Sequence, residues 1–116
     1  MRHHDSKRKL GRERKGRRAL LRSLACSLIL KRKIKTTDAK ARELRPYVEK
    51  MVTKAKKGGL AGTRDIVSKL GVRNVVTILI DDIAPSYKDR AGGYTRIVKL
   101  PRRISDGSKM AVIEFV

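Results

Sequence analysis

Residues 1–35 carry fourteen Lys and Arg side chains against two acids, Asp5 and Glu13, so +12 of the chain's net +20 sits in less than a third of its 116 residues. A segment charged to this degree cannot lie inside a core, because unpaired ionised groups are costly to remove from water. Its few apolar residues must gather on one stripe while the basic ones face water or a polyanion. A charge of this size repels itself in the compact state and draws polyanions from a distance. The partner implied is nucleic acid or, less readily, an anionic membrane surface. Residues 36–57 and 84–116 add +4 each, and residues 58–83 are neutral. That neutral stretch is expected to face the core or water.

A chain of 116 residues fits one domain and leaves no room for a second catalytic lobe. Aromatics are 3% of the chain, with no Trp and one Phe, so base stacking cannot be the main mode of binding. Cys26 is the only cysteine, which excludes an internal disulfide and a Cys-based zinc site and suits a reducing compartment, with the cytoplasm as default. Residues 19–30, the longest weakly polar stretch, are interrupted by Arg22 and fall short of the ~20 apolar residues of a membrane span. The opening MRHHDSKRK has no apolar core and reads as no secretory signal. Residues 1–10 are expected to form a basic arm that is disordered until a polyanion screens it, and residues 11–116 a single domain.

From Leu20 the apolar residues fall at 20, 21, 24, 25, 28 and 29, which predicts a helix over about 12–31. Residues 34–36 read as a short strand, and Thr37 and Asp38 as caps for a second helix from about 38. The apolar face of that helix is Ala41, Leu44, Val48, Met51, Val52 and Ala55, and Gly58-Gly59 ends it. Pro46 inside it predicts a kink or two shorter pieces. Ile66, Val67 and Leu70 predict a third helix that stops at Gly71. Residues 74–80 are β-branched, but Val72, Val75, Val76, Leu79 and Ile83 keep a 3.6-residue period up to Pro85, so a helix is expected. Residues 94–100 and 110–116 read as strands joined through Pro101, Arg102, Arg103 and an Asp106-Gly107 turn. The fold class implied is α+β, with several helices packed on a small mixed β-sheet.

Arg14, Arg18 and Arg22 recur every fourth residue beside the apolar face, with Lys7, Arg8, Lys9, Arg12, Lys15 and Arg17 around them. Guanidinium groups grip phosphates through paired hydrogen bonds, and a helix presents them at regular intervals. A solvated face is the usual fate of a basic run, but this one lacks the glutamates at i,i+4 that would neutralise it. Gly11 to Gly16 has the glycine spacing of a P-loop, yet it lacks the Lys-Ser/Thr ending and a preceding strand and is read as coincidence. His3 and His4 have no further ligands near them and read as RNA contacts rather than a metal site. Asp81 and Asp82 are neighbours on a helix, point apart, and cannot act together on one substrate. Cys26 has no nearby His and reads as inert. Gly92-Gly93, flanked by Arg90 and Arg96, suits a close approach of backbone N–H groups to a phosphate. No constellation supports catalysis, a metal, a cofactor or a small-molecule substrate.

In order along the chain, MRH, LGR, RRALLRSLACSLI, IKTTDAKARELRP, IAPSY, AGGYTRI and a PRR turn leading to MAVIEFV resemble the bacterial-type large ribosomal subunit protein seventeen family. The most specific pieces are TTDAKARELRP at 36–46 and AGGYTRI at 91–97. The resemblance implies a non-enzymatic component of the large ribosomal subunit, near the peptide exit region, whose partners are large-subunit ribosomal RNA and neighbouring large-subunit proteins. By matching position it implies RNA-facing roles for Arg2, His3, Arg8, Arg12, Arg18 and Arg22, then Thr36, Thr37 and Lys40, then Arg90, Gly92, Gly93, Tyr94 and Arg96. Arg102 and Arg103 in the late turn complete the candidate set. His4, Asp5, the very basic LKRKIK and residues 60–80 depart from the family pattern. An architectural nucleoid DNA-binding protein is the alternative that the charge alone permits.

Overall fold

Helix 2 is the spine of the fold, because both other layers pack against it. The computed structural model describes residues 13–116. The expected arm and the candidates Arg2, His3, Lys7, Arg8, Lys9 and Arg12 lie outside the described residues. The chain runs α1 (Arg14–Lys31), β1 (Lys33–Thr37), α2 (Asp38–Lys57), α3 (Leu60–Leu70), α4 (Arg73–Ile78), β2 (Thr95–Leu100) and β3 (Met110–Phe115). The α+β class expected from the pattern is the one observed. α1, α3 and the α4 region contact α2 on one side, and the sheet contacts it on the other. The core joins Ala25, Leu28 and Ile29 of α1 to Ala41, Leu44, Val48, Met51 and Val52 of α2, with Ile66, Leu70, Leu79, Ala111 and Ile113 closing it.

The expected boundaries of α2 hold for reasons that can be named. The Thr37 hydroxyl accepts the Lys40 N–H at 3.4 Å, Asp38 stands in the first turn, and Lys54, Lys56 and Lys57 stand in the last, where they complement the helix dipole. Pro46 does not divide the helix, which runs unbroken from 38 to 57. One missing N–H is outweighed by the apolar face that continues on both sides of it. At the end of α3, Gly71 adopts φ +71° and returns its N–H to Val67 at 2.8 Å, a left-handed cap that glycine adopts without strain. Val67 and Val72, assigned to apolar faces by their spacing, are instead 48% exposed.

Helix is the state of residues 74–80, as the period predicts, but α4 passes into a π-helical segment, Leu79–Ile83, and a closing turn, Ala84–Ser86. Its wider turn, in which the Ala84 N–H reaches Leu79, comes immediately before Pro85. Proline supplies no N–H and its ring crowds the carbonyl four residues back, so a regular α-turn is disfavoured here. Leu79 and Ile83 still face the core, while Asp81 and Asp82 are exposed. Asp82 lies 3.8 Å from Arg32.

The sheet has the order β1-β3-β2 and is antiparallel at both pairings, which corrects the expectation of a mixed sheet. β1 and β2 run in the same direction, but β3 lies between them, so no parallel pair forms. Ile34, Ile113 and Ile97 align across the three strands and pack toward α2. The next row on the opposite face is Lys33, Glu114 and Arg96.

Candidate nucleic-acid interface

α1 presents its cations to solvent because its narrow apolar stripe is already used against α2, α3 and α4. Arg14, Lys15 and Arg18 are exposed and Arg17 is half-buried. The side chains of Arg14 and Arg18 make no hydrogen bond or ion pair among the described residues. Arg22 differs from the rest of the stripe. Its Nε donates to the Lys69 carbonyl at 2.8 Å and one terminal nitrogen to the Ser68 carbonyl at 3.5 Å. These carbonyls end α3, where a cation opposes the negative end of the helix dipole. Arg22 therefore ties α1 to α3, a role its place in the stripe conceals. Arg22→Ala is expected to lower stability by about 1 kcal/mol, or the melting temperature by roughly 4–8 °C, whereas Arg18→Ala leaves both unchanged. Thermal denaturation of the two variants checks this; equal melting curves would return Arg22 to the RNA-facing set.

Thr36 is 8% exposed and Thr37 is engaged as the α2 cap, so the middle segment offers chiefly Lys40 and the helix N-terminus behind it. The late turn is drawn to the same place, since the Asp38 N–H donates to the Lys109 carbonyl at 2.9 Å. Within that turn Arg103 forms a fork to both oxygens of Asp106, at 3.0 and 2.8 Å, and the Ser108 N–H donates to the same carboxylate at 3.0 Å. These bonds hold the Asp106 carboxyl well below its usual range. Arg103 thus braces the turn, while Arg102, which donates to the Gly107 carbonyl at 3.1 Å, keeps a charge that no acid among the described residues neutralises.

The third segment lies elsewhere. Lys56, near the C-terminal end of α2, bonds to the Arg90 carbonyl, and Arg90 itself is exposed. Tyr94 is only 1% exposed, which removes its ring from the RNA-facing candidates. It packs 5.1 Å from the ring of Tyr87, and its hydroxyl meets Lys56 at 3.0 Å and Thr53 at 3.3 Å. Those bonds pull the Tyr94 hydroxyl below its ordinary pKa. Arg96 donates to Glu114 at 2.8 Å and so is partly neutralised. Gly93 has φ +62°. All four aromatic residues pack on the core, with Tyr87 and Tyr94 buried and Tyr47 and Phe115 partly so.

Lys40 and Lys56 are sixteen residues apart on α2, about 24 Å along its axis. The middle segment and the late turn therefore converge at one end of the helix, and Arg90–Gly93 sits at the other. The sequence reading missed the two residues that buttress this second end, Glu49 and Lys56. Glu49 accepts the Thr95 N–H at 3.2 Å and the Thr95 hydroxyl at 2.8 Å. Its placement beside the buried stripe of α2, next to Val48, was the one available signal. Cys26 is half-buried with its thiol 3.7 Å from the Leu70 carbonyl, and burial pushes its pKa up, in keeping with an inert thiol.

Among the described residues no cluster of three His, Cys, Asp or Glu side chains could hold a metal, and no helix is long and apolar enough to cross a membrane. Fold and surface together define a class: a small α+β protein that presents cations at several separated points around a single core. A family model described as ribosomal protein L17 matches residues 20–116. The large ribosomal subunit protein bL17 of Trichlorobacter lovleyi is 48% identical over 116 residues, covering 100% of this chain and 94% of its own. That of Sphingopyxis alaskensis is 52% identical, covering 100% and 84%, and that of Nautilia profundicola is 48% identical, covering 100% and 98%. The chain belongs to the ribosomal protein L17 family, whose members are structural components of the ribosome and not enzymes.

Proposed function

We propose that this protein is a structural component of the large ribosomal subunit that binds large-subunit ribosomal RNA near the peptide exit region, in the cytoplasm, beside other large-subunit proteins. The observation that carries the RNA reading is the exposed outer face of α1, where Arg14 and Arg18 have no partner among the described residues. An arginine on a fixed helix meets a phosphate with two parallel hydrogen bonds and little further ordering. The family membership supports the ribosome as the place where that phosphate is found. Separate basic clusters at the two ends of α2 suit folded RNA, whose recognition combines shape with phosphate contacts from several strands. An architectural DNA protein would instead gain from one continuous track along a duplex.

Sedimentation of a cell extract tests the assignment. The protein is expected to travel with the large subunit, with RNA crosslinks in α1, in the region of Lys40 and Arg102, and at Arg90–Gly93. Fractionation with the nucleoid, with crosslinks confined to residues 1–35, would replace the ribosomal reading with the DNA-binding one.

A further inference from the structure

A groove of about 490 Å³ lies between the outer side of α2 and the loop that precedes β2. Pro46, Lys50 and Thr53 form the helix side, and Ala91 and Gly92 form the other. Three properties of this groove point to one kind of ligand. Its walls are mostly apolar and built from aliphatic carbon, the surface on which a flat heteroaromatic ring lies well. The backbone N–H groups of Ala91, Gly92 and Gly93 donate to no acceptor among the described residues. Consecutive free N–H groups next to a glycine in the left-handed region are suited to an anion. Lys50 on one rim and Arg90 beside the other are exposed cations with no side-chain partner among the described residues.

A nucleotide joins such an anion to a flat heteroaromatic ring whose faces suit apolar walls. In a duplex the rings are stacked and beyond reach, so a groove of this shape requires one that has left the stack. We propose that the groove receives a single extruded nucleotide of the bound RNA, with its phosphate at the Gly92 and Gly93 N–H groups and Lys50, and its base against Pro46 and Thr53. This rests on the RNA-binding reading above. Glu49 also lines the groove, and its bonds to Thr95 and Arg45 all fall on Oε2. Its Oε1 is the acceptor left for an exocyclic amino group, which favours adenine, cytosine or guanine over uracil.

Gly92→Leu is the variant that separates this site from the fold. Gly92 lines the groove, a Cβ there meets no atom within 4 Å, and the residue is not in the left-handed region, so a larger side chain at the groove wall is accommodated without displacing the core. The experiment compares large subunits carrying the full-length wild-type chain or Gly92→Leu, by ultraviolet crosslinking with mass spectrometry and by chemical probing of the ribosomal RNA. Circular dichroism of each free chain confirms the fold. The wild type should crosslink one unpaired nucleotide to the peptides spanning residues 46–54 or 91–93. In Gly92→Leu particles that crosslink should vanish, the nucleotide should become reactive, and RNA affinity should fall about tenfold. RNA crosslinks elsewhere with none at the groove would overturn the extruded nucleotide and leave RNA binding intact. A crosslink from the groove to another protein would overturn it in favour of a peptide occupant. The absence of RNA crosslinks anywhere on the chain would remove the RNA-binding reading itself.

Discussion

Raising the salt from 50 to 200 mM should weaken RNA binding roughly a thousandfold, because each phosphate neutralised releases about 0.7 to 0.9 of a counterion and six contacts give a log–log slope near −5. The cations expected to contribute are ones without an acidic partner among the described residues, including Arg14, Lys15 and Arg18 on α1, Lys40 and Arg102 at one end of α2, Lys50 on its middle turns and Arg90 toward the other end. Arg96 and Arg103 are paired with Glu114 and Asp106, and Arg22 is held by the carbonyls that end α3, so these three should contribute less. Filter binding or fluorescence anisotropy across a salt series measures the slope directly. A slope shallower than about −2 would mean that electrostatic docking is not what holds the RNA.

Leu44→Ala should destabilise the protein by about 2–5 kcal/mol, the range for removing a large aliphatic side chain from a packed interior. Leu44 is fully buried on α2, the element that contacts the helical layer and all three strands, so the void cannot be filled from either side without moving the other. Against a typical domain stability of about 5–15 kcal/mol, the loss is a large fraction. It should appear as a melting temperature lowered by 10 °C or more on the usual scaling for ~100-residue domains. RNA affinity should fall with it, since both ends of α2 depend on that helix for their spacing. A loss below about 1 kcal/mol would show that Leu44 is not a keystone of the core.

The helical period made the core of this fold readable. Leu28, Leu44, Val48, Ile66, Leu79 and Ile83 were all placed by spacing and are all buried. Local rules failed where a tertiary partner intervened. Pro46 carries a breaking signal that the long apolar face of α2 overrides. The π-helical segment before Pro85 leaves the apolar period intact and so has no signature in the pattern. The strands were legible as segments, but their antiparallel order depends on which edge of β3 receives β1, a choice made by the packing of α2.

The candidate site was legible as charge and less so as geometry. A stripe of arginines spaced by four is visible in the sequence, but the carbonyls at the end of α3 that capture Arg22 come from residues 68 and 69. Arg103 and Asp106 are three apart and could have been paired by inspection. Tyr94 sits in a segment matched to the family by residue identity, which does not say whether a ring points outward or into the core. The role of Glu49 left only its place beside the buried stripe as a trace, because its partner, Thr95, is 46 residues away.

The length of α2 has a consequence for whatever the protein holds. Twenty residues at 1.5 Å each make a rod about 30 Å long, stiffened on both sides by packing, with a basic cluster at either tip. On the proposed RNA-binding role, two RNA strands gripped at those tips would be held at a separation written into the helix as a count of residues. A protein that only supplied charge would let its RNA close up or drift apart with ionic conditions, whereas a rod of this kind would act as a gauge. Adding one helical turn would push the tips apart by about 5.4 Å, a mismatch that no adjustment of charge could hide.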